Sequence, residues 1–248
     1  MVLTRRLATG ALLVTSLAVT VSACGPSSSA ALETVKLDPK AVVDPLAAQT
    51  SGWILQHATA GTVGARAVHV TGTSKDSGHT VTFNLTVAGS HGCTGTMKES
   101  DAGSFQMISN GTTVWIKPDD EFWRTAAGVT DQATLNKVEG KYLAGSASSS
   151  DFSALAKLCK MKTLLSSFSK VSNSTKGETR GPITMVNGQR VVKISDTADS
   201  AYAYATDTAQ PKMVQVVDPA SGGERFTFDY PGTAVTINPP PDDLILTQ

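Results

Sequence analysis

Four histidines, one acidic trio and three cysteines are the residues of this sequence with chemistry to offer. His57, His69, His79 and His91 lie in three different local contexts. None has the i, i+4 spacing that sets two imidazoles on one helix face for zinc. Solvated or capping roles are expected of them, because a catalytic site needs convergent partners. Asp119-Asp120-Glu121 could face a cation, but the trio lacks the spaced oxygen ligands of a calcium loop. A solvated helix start is the better reading. The chain has no Gly-x-Ser-x-Gly elbow, no P-loop and no Rossmann glycine set, the motifs that would announce acyl transfer or nucleotide chemistry. No enzyme, metal site or cofactor is therefore expected.

The first cysteine has a different setting. Arg5 and Arg6 precede a 15-residue apolar or small stretch, Leu7 to Val21. That is too short to cross a hydrocarbon core, which takes about 20 residues as a helix. A basic start, a short apolar run and small residues before a cleavage point describe an export signal. Val21-Ser22-Ala23-Cys24 fits the lipobox pattern of aliphatic, small, small, cysteine. The expectation is that residues 1–23 are removed and that Cys24 receives a diacylglyceryl group. Two acyl chains hold a protein to a bilayer where one only lingers. The alternative is an ordinary cleaved signal with an incidental cysteine. Residues 24–44, with Gly25, Pro26 and three serines at their start, read as a flexible tether. The location implied is the cell membrane, lipid-anchored on its extracytoplasmic face.

Export changes the meaning of the other two cysteines. In an oxidising compartment an even pair reads most simply as a disulfide, here Cys93 with Cys159. A metal or redox pair would want the close Cys-x-x-Cys spacing that is absent. Removing residues 1–23 takes Arg5 and Arg6 from 21 basic residues against 21 acidic ones and leaves a net charge of −2. Such a chain is not built for nucleic acid, which wants a strongly basic domain. The charges are nonetheless uneven. Residues 137–180 hold eight basic and three acidic residues. Such a segment either leans on anionic headgroups or forms an ordinary wetted face balanced by acids elsewhere.

Positioning these residues takes about 200 further residues. Abundant Thr and Val with sparse aromatics lean towards β structure. Pro45 to Ala60 could form an amphipathic helix with Leu46, Trp53, Ile54 and His57 towards one side, although Gly52 weakens it. Residues 65–73 place Val68 and Val70 two apart. In residues 80–87, Val81, Phe83, Leu85 and Val87 alternate with Thr80, Thr82, Asn84 and Thr86, the pattern of a strand with one dry face. Asn110-Gly111 and Asn187-Gly188 each stand between strand formers and predict type I′ hairpins. Further strands are expected at 200–206, 212–218, 224–230 and 234–237, ending before Pro239-Pro240-Pro241. Between the hairpins, the acidic trio precedes Phe122-Trp123 as a helix start, and residues 131–139 offer a turn or two more. Asp151 is the expected N-cap of a helix through Phe168. That helix would turn Phe152, Leu155 and Cys159 towards the sheet, where Cys159 can meet Cys93.

The lipobox, the helix before the first strand and the strand-rich halves around a helical middle together resemble an actinobacterial lipoprotein of the LppX/LprG type. "GCTGTM", "VWIKPDDEFWR" and "LCKM" add to the likeness, which covers most of residues 45–241 as a pattern of elements, with 242–248 as a C-terminal tail. The resemblance implies a LolA-like α+β fold: a strongly curved antiparallel sheet of about eight to nine strands, a half-barrel with helices over its concave face. It further implies an apolar pocket between sheet and helices that takes acylated lipid. The walls expected are Val81, Phe83, Leu85, Val87, Phe105, Met107, Leu155 and Leu158. For such residues plain core packing is the competing fate. A second function stays open, an envelope interaction or sensor module that adds a protein partner along a sheet edge.

Overall fold

The computed structural model describes residues 43–76, 78–166, 177–196 and 200–246. Cys24, Lys170, Lys176 and the expected helix end at Phe168 lie outside them. In chain order the elements are α1 (Ser51–Val63), β1 (Val68–Asp76), β2 (His79–Val87), β3 (Cys93–Glu99), β4 (Gly103–Ser109), β5 (Thr113–Pro118), α2 (Asp120–Thr125) and α3 (Gln132–Val138). There follow β6 (Leu143–Ser146), α4 (Ser153–Leu158), α5 (Met161–Ser166), β7 (Glu178–Val186), β8 (Gln189–Asp196), β9 (Tyr202–Thr206), β10 (Met213–Asp218) and β11 (Glu224–Asp229). A short 3-10 turn, Asp242–Leu244, comes last.

The strands form one open antiparallel sheet of eleven, in the order β6-β5-β4-β3-β2-β1-β11-β10-β9-β8-β7. Two meanders, β1 to β6 and β7 to β11, thus meet where β1 pairs with β11. The architecture is α+β, as expected, but eight to nine strands was too few. β3 (CTGTMKE) escapes notice because Gly95 interrupts its dry face. β6 (LAGS) has no strand signature; four residues are held extended by pairing with β5. Conversely, residues 234–237 are not a strand. Their residues suit one, but β11 already has β1 and β10 on its two sides, so no free edge lies beside them. The chain instead runs on until Tyr142 N–H donates to Leu244 O (2.7 Å) and Leu246 N–H to Tyr142 O (2.8 Å). The C-terminal segment is thereby docked beside β6.

One of the two Asn-Gly hairpins is as expected. Asn187 and Gly188 have φ of 51° and 73° and close β7 onto β8 with Val186 opposite Gln189, a two-residue turn that needs positive φ at both positions. At the other, Gly111 alone has positive φ. There the side chain of Asn110 accepts from the N–H groups of Thr112 (3.0 Å) and Thr113 (2.8 Å), and three residues make the connection.

The helices differ from expectation at their ends. Residues 45–48 form a turn, closed by Leu46 N–H on Asp44 Oδ1 (2.9 Å), and α1 begins after Thr50, whose hydroxyl accepts from Trp53 N–H (3.2 Å). Its buried stripe is Ile54, Leu55, Ala58 and Thr62. His57 is not part of that stripe; it is exposed and stacked on Trp53 at 3.7 Å. The helix expected from Asp151 to Phe168 is two short ones. Phe152, not Asp151, occupies the N-cap of α4 and makes no side-chain cap bond. The ladder then breaks at Cys159-Lys160, where Lys160 N–H reaches back only to Lys157 O and Lys160 O starts α5 by accepting from Leu164. The break coincides with the residue tied to the sheet.

The sheet's inner face carries α1, α4 and α5. Val68, Val70, Phe83, Leu85, Phe226 and Phe228 from its centre join Ile54, Leu55, Ala156 and Leu164 in one buried cluster. α1 contacts β7, β9, β10 and α5. No helix among the described residues is long and apolar enough to cross a membrane.

Candidate apolar binding site

The alternation in β2 sends Val81, Phe83, Leu85 and Val87 to the inner face, as its spacing predicted. On β4, Phe105 and Met107 share that face, Phe105 opposite Met97 of β3 and Met107 opposite Gly95. Opposite them stands α4 with Leu155 and Leu158. Cys93 at the start of β3 and Cys159 at the end of α4 are joined as a disulfide, Cα atoms 5.1 Å apart. This bond fixes one end of the short helix to the sheet.

The eight expected wall residues divide into two sets. Phe83, Leu85, Val87 and Met107 are buried in the central cluster. Phe105, Leu155 and Leu158 pack against that cluster but stay half-buried, and Val81 is half-buried further along β2. The half-buried set has two members that the spacing did not single out, Met97 and Leu143, and it includes Phe152, which the helical spacing turned towards the sheet. Phe152 lies flat against Gly145 of β6, where any Cβ would occupy the place of its ring. A glycine in a strand that reads as a bulge or loop is the one sequence signal that could have pointed there. Together these side chains make a seam of incompletely covered apolar surface between α4 and the β3–β6 half of the sheet.

Helix α2 bounds this half. Asp119 is its N-cap and accepts from Phe122 N–H (2.8 Å). The same carboxylate takes the backbone N–H (3.0 Å) and hydroxyl of Ser104 on β4. Burial pulls its pKa upward, but the bonds from Ser104 and Phe122 outweigh that and hold it below the usual carboxylate range. The acidic trio is therefore a helix start, and Phe122 packs edge-on against Phe105, centroids 5.7 Å apart.

A compact cluster of charge lies where the described chain begins. Asp44 pairs with Arg180 of β7 at 2.6 Å, and Asp207, after β9, faces Arg190 of β8 at 2.8 Å with its side chain fully enclosed. Arg190 also donates to Val43 O (3.2 Å). The hydrogen bond from Arg180 holds the Asp44 carboxyl below its ordinary value. Burial, with Asp44 close by, pushes Asp207 up despite the pull of Arg190. Three elements and the root of the expected tether are clamped together here.

The remaining candidates do not converge. Asp101 accepts hydrogen bonds from Ser100 and from His79 Nδ1 (2.7 Å). The carboxylate thus stands between serine and imidazole, whereas nucleophilic catalysis needs the imidazole in the middle. His69 bonds Asn84 (2.7 Å) on the outer face. Among the described residues no three His, Cys, Asp or Glu side chains gather as a metal site. Against known proteins, no family model matches this chain and no curated protein matches it significantly.

Proposed function

We propose that this chain is a membrane-anchored extracytoplasmic lipoprotein, of the LppX/LprG type, that holds a lipid or other hydrophobic ligand between sheet and helices. In this reading Cys24 carries the diacylglyceryl anchor and the eleven strands curve as a half-barrel around α1, α4 and α5. The observation that carries it is the half-buried apolar seam of Met97, Phe105, Leu143, Phe152, Leu155 and Leu158. Apolar surface left beside a completed core costs roughly 25 cal/mol for each Å² kept in water, and an acyl chain along the seam would relieve that cost. The short, disulfide-tied α4 is the element that would have to yield to admit it.

An open sheet also leaves β7 as an edge strand, which a protein partner could extend. Yet β7 has a register shift between Arg180 and Ile183, with Pro182 inside it, and both features blunt an edge against strand addition. The partner reading therefore ranks second.

Native mass spectrometry of gently purified protein tests the ligand. Co-purifying lipid is expected in the wild type and strongly reduced in Leu155→Asp at equal folded yield; a wild type free of lipid overturns the reading. The anchor is tested separately: labelled palmitate should enter the wild type and not Cys24→Ala.

A further inference from the structure

The outer face of the sheet is unlike the inner. Register pairing carries one outward row across nine strands, from Lys193 on β8 to Lys117 on β5, through Thr71, Asn84, Thr96 and Gln106. The next row holds Arg225, Thr73, Thr82 and Lys98 in paired succession. At the outward positions of these nine strands stand five cations, Lys75, Lys98, Lys117, Lys193 and Arg225, against one acid, Asp229. The acid is engaged near His69, 3.9 Å away. Arg225 and Lys98 are exposed; Arg225 makes no ion pair among the described residues, and Lys98 makes no contact pair but feels the Asp119 carboxylate, which is bonded to its register partner Ser104. A chain that is slightly acidic once its expected signal is removed therefore concentrates positive charge on one face.

The arrangement has a direction. Strands lie about 4.8 Å apart, so Lys193, Arg225, Lys98 and Lys117 follow one another at about 14, 14 and 10 Å across the sheet. These four stay within two residues of one row, which makes a stripe about 38 Å long and about 7 Å wide, with Lys75 one row further out. Beside Arg225 lies an open depression of about 350 Å³ lined by Thr71, Thr73, Thr82, Asn84, Arg225 and Thr227, with Gly72 and Phe83 between them. It thus offers hydroxyls and an amide, both donors and acceptors, around an apolar patch at Gly72 and Phe83, with a guanidinium at one rim. A planar anionic surface would be met by cations spread in two dimensions. A narrow line of cations with hydroxyls between suits a chain whose charges are separated by hydroxylated spacers.

We propose that this face binds a linear anionic polymer of phosphodiester-linked polyols, laid across the strands with phosphates at the cations and polyol hydroxyls at the threonines. The site lies on the face opposite the apolar seam and does not depend on the lipoprotein reading.

The test is calorimetric titration of the full chain, in detergent, with poly(glycerol phosphate). The double variant Lys98→Gln/Arg225→Gln is compared with Lys157→Gln/Lys162→Gln, two exposed lysines on α4 and α5. The outer-face variant should bind about 25-fold more weakly, roughly fivefold for each cation near an anionic partner. Its plot of log affinity against log salt should be shallower by about 1.4, two phosphate contacts' worth. The helix variant should change little, and all three proteins should share one thermal midpoint. Absence of binding, or equal losses in the two variants, overturns the site. Equal affinity for single-stranded DNA, or binding to anionic vesicles without binding to the polymer, overturns the ligand.

Discussion

Removing the disulfide should have a large effect whose size follows from the span it closes. Cys93 and Cys159 are separated by 66 residues, and a loop of that length costs about 4.4 kcal/mol of unfolded-state entropy at 25 °C. Domains of this kind have only about 5–15 kcal/mol of total stability, so the bond would account for a large part. At about 2–4 °C per kcal/mol for a domain of this size, the thermal midpoint of Cys93→Ala/Cys159→Ala should fall by roughly 9–17 °C. Neither sulfur is open to solvent, with Cys93 at 0% and Cys159 at 4% exposure. Reductant should therefore cleave the native protein only as fast as it opens. Differential scanning calorimetry with and without reductant, beside thiol labelling over time, reads both quantities. A midpoint lowered by less than about 3 °C, or prompt labelling of the native protein, would refute the reasoning.

The carboxyl of Asp44 is held low by Arg180, so its stabilisation is present above the ordinary carboxylate pKa and lost as pH falls through the depressed one. Asp44→Asn should accordingly be less stable than wild type near neutrality and indistinguishable from it in strong acid, read by urea unfolding across pH. Asp207 has the opposite sign: its pKa is raised by burial, so ionising it costs stability as pH climbs from the ordinary value through the raised one. Asp207→Asn should remove that part of the pH dependence. Asp119→Ala removes the cap of α2 and the tie to Ser104, and should cost about 1–2 kcal/mol in chemical denaturation. Gly61→Ala separates two rules. Helix propensity alone predicts a gain of about 1 kcal/mol, but a Cβ there would sit 2.5 Å from Pro211 O. Overpacking of about 1–3 kcal/mol should win, and a stabilised variant would show the contact to be soft.

How much of this was legible in the sequence depended on whether a signal was local. The period of β2 and the Asn187-Gly188 turn are set by side-chain alternation and by positive φ, so both could be read directly. The pairing of Cys93 with Cys159 was legible from parity together with the expectation of export. Strand β6 could not be seen, because LAGS is extended only through its bonds to β5. Residues 234–237 fail in the opposite sense, since strand propensity is idle where every neighbouring edge is taken. The break between α4 and α5 falls at Cys159-Lys160 without Pro or Gly to announce it. Among the wall residues, spacing identified the dry stripe but could not divide Phe83 and Leu85, which are buried, from Phe105 and Leu158, which are not. That division is made by how much of the sheet a two-turn helix can cover.

The same limit explains why the two faces had to be read differently. The inner face is encoded within strands, where every second residue is apolar and the period alone reveals it. The outer stripe is encoded between strands. Lys98 and Arg225 belong to different meanders, and only the junction of β1 with β11 brings them within three strands of each other. No window along the chain contains both. The run of basic residues from 137 to 180 is conspicuous in sequence; within it Arg180 pairs with Asp44 and Lys141 with the carbonyl of Asp243, while Lys157, Lys160 and Lys162 stay exposed. Pairing register decides which charges face outward together, and the join of the two meanders gives this chain its cationic stripe.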